Sequence, residues 1–186
     1  MKKLLAVSFM FLLMIACSEK QNPQNDSKEV TMLKEKIAKF VPVEIQYDED
    51  LLTDREKVVL EKLYRASKII DELFLEQVYS KNNQIKSELI SKIEDKSSLE
   101  LKPELELQLE LFNIMFGPFD RLEDNEPFIG TDKKPLGANF YPEDMTKEEF
   151  EKWIKDNPGD EKSFTSEFTI IRRENGKLVA IPYSEY

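Results

Sequence analysis

Apolar side chains return at helical intervals over most of this chain, and a clean hairpin pattern occurs only near its end. Val30, Leu33, Ile37 and Phe40 predict a helix over about 28–40, which Pro42 ends. Val43 to Tyr47 alternates apolar and polar residues and predicts a short extended stretch. Thr53 and Glu56 then form a capping box, in which each side chain can satisfy a backbone donor of the other. Behind it, Val59, Leu63, Ala66, Ile70, Leu73 and Phe74 mark one apolar face running towards Tyr79. A helix over 54–79 would be about 39 Å long. The spacing reads as a scaffold helix whose apolar face belongs to the core.

Ile85, Leu89 and Ile93 predict a further helix. The run ELELQLEL at 104–111 alternates like a strand, yet Leu, Glu and Gln favour helix and none is β-branched. Leu105, Leu109, Phe112 and Phe116 also keep helical spacing, and Pro103 suits a first turn, so a helix is expected until Gly117-Pro118. Residues 119–143 read as a long loop that is either functional or packed against something else. A second capping box, Thr146 and Glu149, starts a helix whose staple positions are Met145 and Phe150 and whose core residue is Trp153. Finally, 168–173 and 177–181 flank Asn175-Gly176, the strongest short hairpin signal, with Glu174 opposite Lys177. A lone hairpin is marginal in water and is expected to pack on more protein. The fold class is α+β: predominantly helical with a small C-terminal β-hairpin.

Composition changes the picture at the N-terminus. Lys2 and Lys3 precede a short apolar run, Leu4 to Ile15, closed by Ala16-Cys17. The run is too short for a membrane-spanning helix but suits a signal peptide. It resembles the lipobox of bacterial lipoproteins, although Met14 is an unusual residue three positions before the cysteine. An ordinary signal peptide with an incidental cysteine is the alternative. The resemblance implies cleavage after residue 16, lipidation of Cys17 and location in the bacterial cell envelope, lipid-anchored outside the cytoplasm. Residues 17–27, polar and with Pro23, read as a flexible tether, leaving 28–186 as the folded domain.

Without residues 1–16 the chain keeps 25 basic and 37 acidic side chains, a net charge near −12 that disfavours nucleic acid as a partner. Cys17 is the single cysteine and there is no histidine, so disulfides and Ser–His or Cys–His catalysis within the chain are excluded. Carboxylate-only catalysis remains open. Asp120, Arg121, Glu123, Asp124 and Glu126 crowd one loop, but the EF-hand pattern fails because Asn125 and Thr131 occupy its required Gly and Glu positions. Solvated loop charges or an Asp120–Arg121 pair are expected instead. Arg172 and Arg173 fall on opposite faces of a strand, so at most one could point into a cleft and recognise a carboxylate; solvent exposure is the expectation.

The words FGPFDR (116–121), EPF (126–128), KPLGANFYP (134–142), DMTKEEF (144–150), IIRR (170–173) and IPYS (181–184) occur in the order seen near the N-terminus of bacterial proteins similar to dipeptidyl-peptidase III. The resemblance runs from about Val41 to Tyr186. It implies part of a larger two-lobed fold, the N-terminal portion of a membrane-anchored zinc exopeptidase, with Asn139, Phe140 and Tyr141 as candidates to line a peptide cleft or, alternatively, to anchor their loop. The family's H-E-x-x-x-G-H motif, which binds zinc and supplies the base, has no counterpart here. No catalytic or metal residue can be assigned, and zinc is expected only with the catalytic lobe. That lobe would be a covalent continuation or a separate chain. The alternative is a free-standing, non-catalytic envelope lipoprotein that binds peptides or protein partners.

Overall fold

The computed structural model describes residues 26–186. The signal-peptide and Cys17 assignments, and most of the tether, lie outside the described residues. Ser27 starts helix α1 (Lys28–Ile37) by accepting from the Val30 amide at 3.1 Å. The capping box of Thr53 and Glu56 forms in both directions and opens α2 (Asp54–Val78). Helices α3 (Asn82–Glu94) and α4 (Lys102–Met115) follow, and ELELQLEL is helical throughout. Its buried side is Leu105, Leu111, Phe112 and Met115, whereas Leu109 and Phe116 are only partly covered. Phe116 ends α4 in the left-handed conformation, φ 55°, and its amide and that of Gly117 both donate to the Phe112 carbonyl.

Helices α1 and α3 pack on α4, and Leu33, Leu75, Leu111, Phe112, Met115 and Phe128 form the main core. The 119–143 region is partly ordered by a two-residue ladder, β1 (Phe119–Asp120) against β2 (Glu126–Pro127). Its turn uses positive φ at Asp124 and Asn125, residues that tolerate it. The C-terminal part consists of α5 (Lys147–Asp156), the single turn α6 (Glu161–Phe164), and the hairpin β3 (Thr169–Glu174) with β4 (Lys177–Pro182). Glu174 pairs with Lys177 in register around Asn175 and Gly176, both at positive φ as a type I′ turn requires.

The protein that covers this hairpin lies within the chain. Ile171 and Leu178 pack with Met145 and Phe164, while Phe150 and Trp153 close the cluster from α5. Trp153 stacks on Phe164 at 5.9 Å, the core role its spacing predicts.

Helix α2 departs from expectation. Its amphipathic pattern is present, but Val59, Leu63, Ala66, Ile70, Leu73 and Phe74 are exposed. Only Leu75 and Val78, in its last turn, are buried. Periodicity identifies an apolar face; no described element reaches far enough to cover this one. No described helix is long and apolar enough to cross a membrane.

Candidate functional site

The last turn of a helix leaves carbonyls without intrahelical donors. In α2 two asparagines supply the donors. Asn82 Nδ2 donates to the Leu75 carbonyl at 2.7 Å. Asn139 donates through Nδ2 to the Glu76 carbonyl at 3.0 Å and through its amide to the Gln77 carbonyl at 2.9 Å. Asn82 is fully buried, and its Nδ2 also reaches the Phe116 carbonyl at 3.1 Å, which ties the end of α4 to the end of α2. Its Oδ1 has no hydrogen-bond partner. That oxygen lies against Gly117, φ 145°, where an added Cβ would stand 3.0 Å away.

Asn139 is held in turn from the hairpin. Arg172 Nη2 donates to its carbonyl at 2.9 Å and to its Oδ1 at 3.0 Å, and the guanidinium lies over the Tyr186 ring at 4.9 Å. Phe140 accepts from the Ile171 amide at 2.7 Å and sets its ring beside Tyr183. Tyr141 turns instead to α5, edge-on to Phe150 at 5.6 Å. There it lines a cavity of about 180 Å³ with Leu136, Gly137, Met145 and Phe150. The three cleft candidates therefore do not share one wall. Asn139 and Phe140 build the α2–β3 junction, and Tyr141 alone faces a cavity.

Neither arginine is free in solvent. Arg173 binds Asp144 through Nε and grips both Glu149 oxygens at 2.8 Å, holding both carboxyls below their ordinary pKa. Thr146 still accepts from the Glu149 amide at 3.1 Å, but the Glu149 side chain is committed to Arg173, so the second capping box is half-formed.

A larger cavity, about 430 Å³, lies beside α3 and is lined by Tyr79, Lys81, Glu88, Lys92, Phe119 and Asp132 among others. Lys81 Nζ and the Tyr79 hydroxyl both donate to Asp132 Oδ2, at 2.8 and 3.0 Å. These bonds, Lys81 first, hold the Asp132 carboxyl low, while burial pushes the Tyr79 phenol up. More than fifty residues separate Asp132 from its partners, so nothing local in the sequence marks this group.

Asp120 corrects a second expectation. It is buried and pairs with Lys36 of α1 at 2.5 Å, not with Arg121, which lies over the Phe74 ring. Its other oxygen accepts from the Leu122 amide at 2.9 Å. Lys36 also binds Glu123, which Lys39 flanks. Among the described residues, no cluster of three or more His, Cys, Asp or Glu side chains could hold a metal ion, so these residues do not fit zinc.

The ion pairs predict the acid response. Glu123, bonded by Lys36 and then Lys39, is held at about 2. A carboxyl depressed on folding contributes stability that is present above its unfolded pKa, about 4.5, and lost as pH falls through the folded value. Lys36 has the opposite sign. Desolvation opposes its charge, but bonds to Asp120 and Glu123 outweigh this and raise its pKa. Its contribution is complete below about 10.5 and lost as pH rises through the folded value. Urea midpoints should therefore fall between pH 4.5 and 2, and Glu123→Gln should flatten that limb. An unchanged acid limb in the variant would refute the assignment.

This geometry matches part of two solved structures. Dipeptidyl-peptidase III from Caldithrix abyssi aligns over 82% of this chain with TM-score 0.74 and 59% identity. Dipeptidyl-peptidase III from Corallococcus sp. strain EGB aligns over 84% with TM-score 0.73 and 36% identity. The chain resembles part of a bacterial dipeptidyl-peptidase III. It spans 28% of the length of each of these solved chains. A curated relative, Nudix hydrolase 3 of Arabidopsis thaliana, is 26% identical over 82% of this chain, which covers 26% of that protein. Its name attaches to a protein of which about three quarters lies outside the match. No family model matches the chain. The words that carry the dipeptidyl-peptidase III resemblance lie at the junctions described above: Phe116 and Gly117 against Asn82, Asn139 against α2, and Arg172 against Asn139. They mark packing between elements.

Proposed function

We propose that this chain is the N-terminal portion of a dipeptidyl-peptidase III-like zinc exopeptidase, anchored to the bacterial envelope through acylated Cys17. Its own role is scaffold and one wall of the peptide cleft, with Tyr141 on that wall, while Asn139 and Phe140 anchor their loop to α2 and β3. The zinc-binding lobe is supplied from outside this chain. The observation that carries the reading is the agreement with the Caldithrix abyssi structure, 59% identical over 82% of this chain. At that identity, similarity of fold and of sequence point the same way. The absence of histidine makes peptide hydrolysis by this chain alone, through that zinc chemistry, unworkable.

Sequencing the gene well beyond the Tyr186 codon tests this. A reading frame, continuous or resumed, that encodes H-E-x-x-x-G-H is the expected result. A stop with no such motif downstream would overturn the proposal in favour of a free-standing binding lipoprotein.

A further inference from the structure

Asn175 and Gly176 form the tip of the β3–β4 hairpin, and both are exposed. Among the asparagines of the chain, Asn175 alone precedes a glycine. That matters because a backbone amide nitrogen can attack the carboxamide carbon of the residue before it. A side chain on the attacking residue crowds this approach. At Gly176 the position of an added Cβ has nothing within 4 Å. The other described asparagines are closed to the same attack. Asn82, Asn83 and Asn113 lie in helices, each followed by a residue with a full side chain. The amides that follow Asn125 and Asn139 donate to the carbonyls of Glu123 and Gly137 at 2.9 and 3.1 Å. Asn157 precedes Pro158, whose nitrogen carries no proton. The carboxamides of Asn82, Asn139 and Asn157 also donate to carbonyls, and among the described residues no such bond holds Asn175.

We propose that Asn175 is a site of self-modification, converted to aspartate and isoaspartate through a succinimide closed by the Gly176 nitrogen. The Gly176 amide loses its proton and its nitrogen bonds to Asn175 Cγ. The bond from Cγ to Nδ2 breaks, and Nδ2 takes up a proton and leaves as ammonia. Water then opens the ring. Cleavage between Cγ and the Gly176 nitrogen gives aspartate. Cleavage between the main-chain carbonyl and that nitrogen gives isoaspartate, with the chain rerouted through Cβ and Cγ. The reaction proceeds when the turn opens, and exposed turn tips open at the least cost in a fold. Either product places a carboxylate beside Glu174. Isoaspartate also lengthens the main chain between two residues whose positive φ values, 50° and 77°, define the turn. The pairing of Glu174 with Lys177 is then lost. The change stops at the tip, because Ile171 and Leu178 are buried in the cluster with Met145 and Phe164. Arg173, held by Asp144 and Glu149, fixes β3 on the same side.

Ageing the folded chain in warm buffer, at neutral and at mildly alkaline pH, is the test. Peptide mapping by mass spectrometry should find conversion at Asn175 ahead of every other described asparagine. A protein-isoaspartate methyltransferase should label the same peptide, and the rate should rise with pH because the attacking amide must lose its proton. Asn175→Gly keeps a turn that favours type I′ and should abolish the labelling. Gly176→Ala should slow conversion by about tenfold or more, through the higher barrier its Cβ imposes. It is strained at this φ, so circular dichroism checks that the variant folds. Conversion in urea but not in the folded chain would overturn the proposal, since the fold would then close the site. Preferential conversion at another asparagine, or an undiminished rate in a folded Gly176→Ala, would overturn it as well.

Discussion

Lys36→Met should destabilise the domain by about 3–5 kcal/mol, the range expected when one member of a buried ion pair is removed. Asp120 is 1% exposed and the Lys36 side chain 12%, so neither recovers full hydration when its partner goes. Without the ammonium, the Asp120 carboxylate keeps only the Leu122 amide as a donor. The reverse variant, Asp120→Asn, should cost less. It retains an acceptor for Leu122, and Lys36 keeps Glu123 as a counter-ion. The asymmetry tests the geometry as well as the magnitude. Combining Lys36→Met with Asp120→Asn should recover a large part of the loss, since the double variant buries no lone charge. Urea titrations of the four proteins at neutral pH give the cycle. A Lys36→Met midpoint equal to wild type would mean that the pair does not lock α1 to the β1 loop.

That pair also shows what sequence reading reaches and what it misses. Thr53 with Glu56, and Asn175 with Gly176, act within a few residues, and both produced the element their spacing predicts. ELELQLEL was decided by propensity, because the alternation alone pointed to a strand. Lys36 and Asp120 are 84 residues apart, and no local pattern links them. Glu149 sits at a capping-box position but turns to Arg173, a partner that exists only once the hairpin has packed on α5. The apolar period of α2 was legible and its burial was not, for period identifies a face and says nothing of what meets it. Asn139 was singled out through resemblance, while its role as a helix cap depends on contacts with residues far away in sequence. Asn82 carried no signal at all.

Asn82→Ala should cost about 2–6 kcal/mol, because it strips the donor from two carbonyls, Leu75 and Phe116, at roughly 1–3 kcal/mol for each buried group left unpaired. Asn82→Asp should be at least as damaging. It replaces the NH2 group with a second oxygen facing two carbonyls, and a charge in that site has no cation bonded to it. Denaturation midpoints would measure both losses, and hydrogen exchange would locate them. The last turns of α2 and α4 should lose protection first, while the β3–β4 hairpin keeps its own. Uniform loss across the domain would show that Asn82 is ordinary core and not a joint between two helix ends. Among the described residues, α2 is buried only at that end. With Asn139 and Arg172 completing the clamp, Asn82 fixes the direction in which the exposed face of α2 projects. Two asparagines at one helix end are the means by which the structure holds that direction.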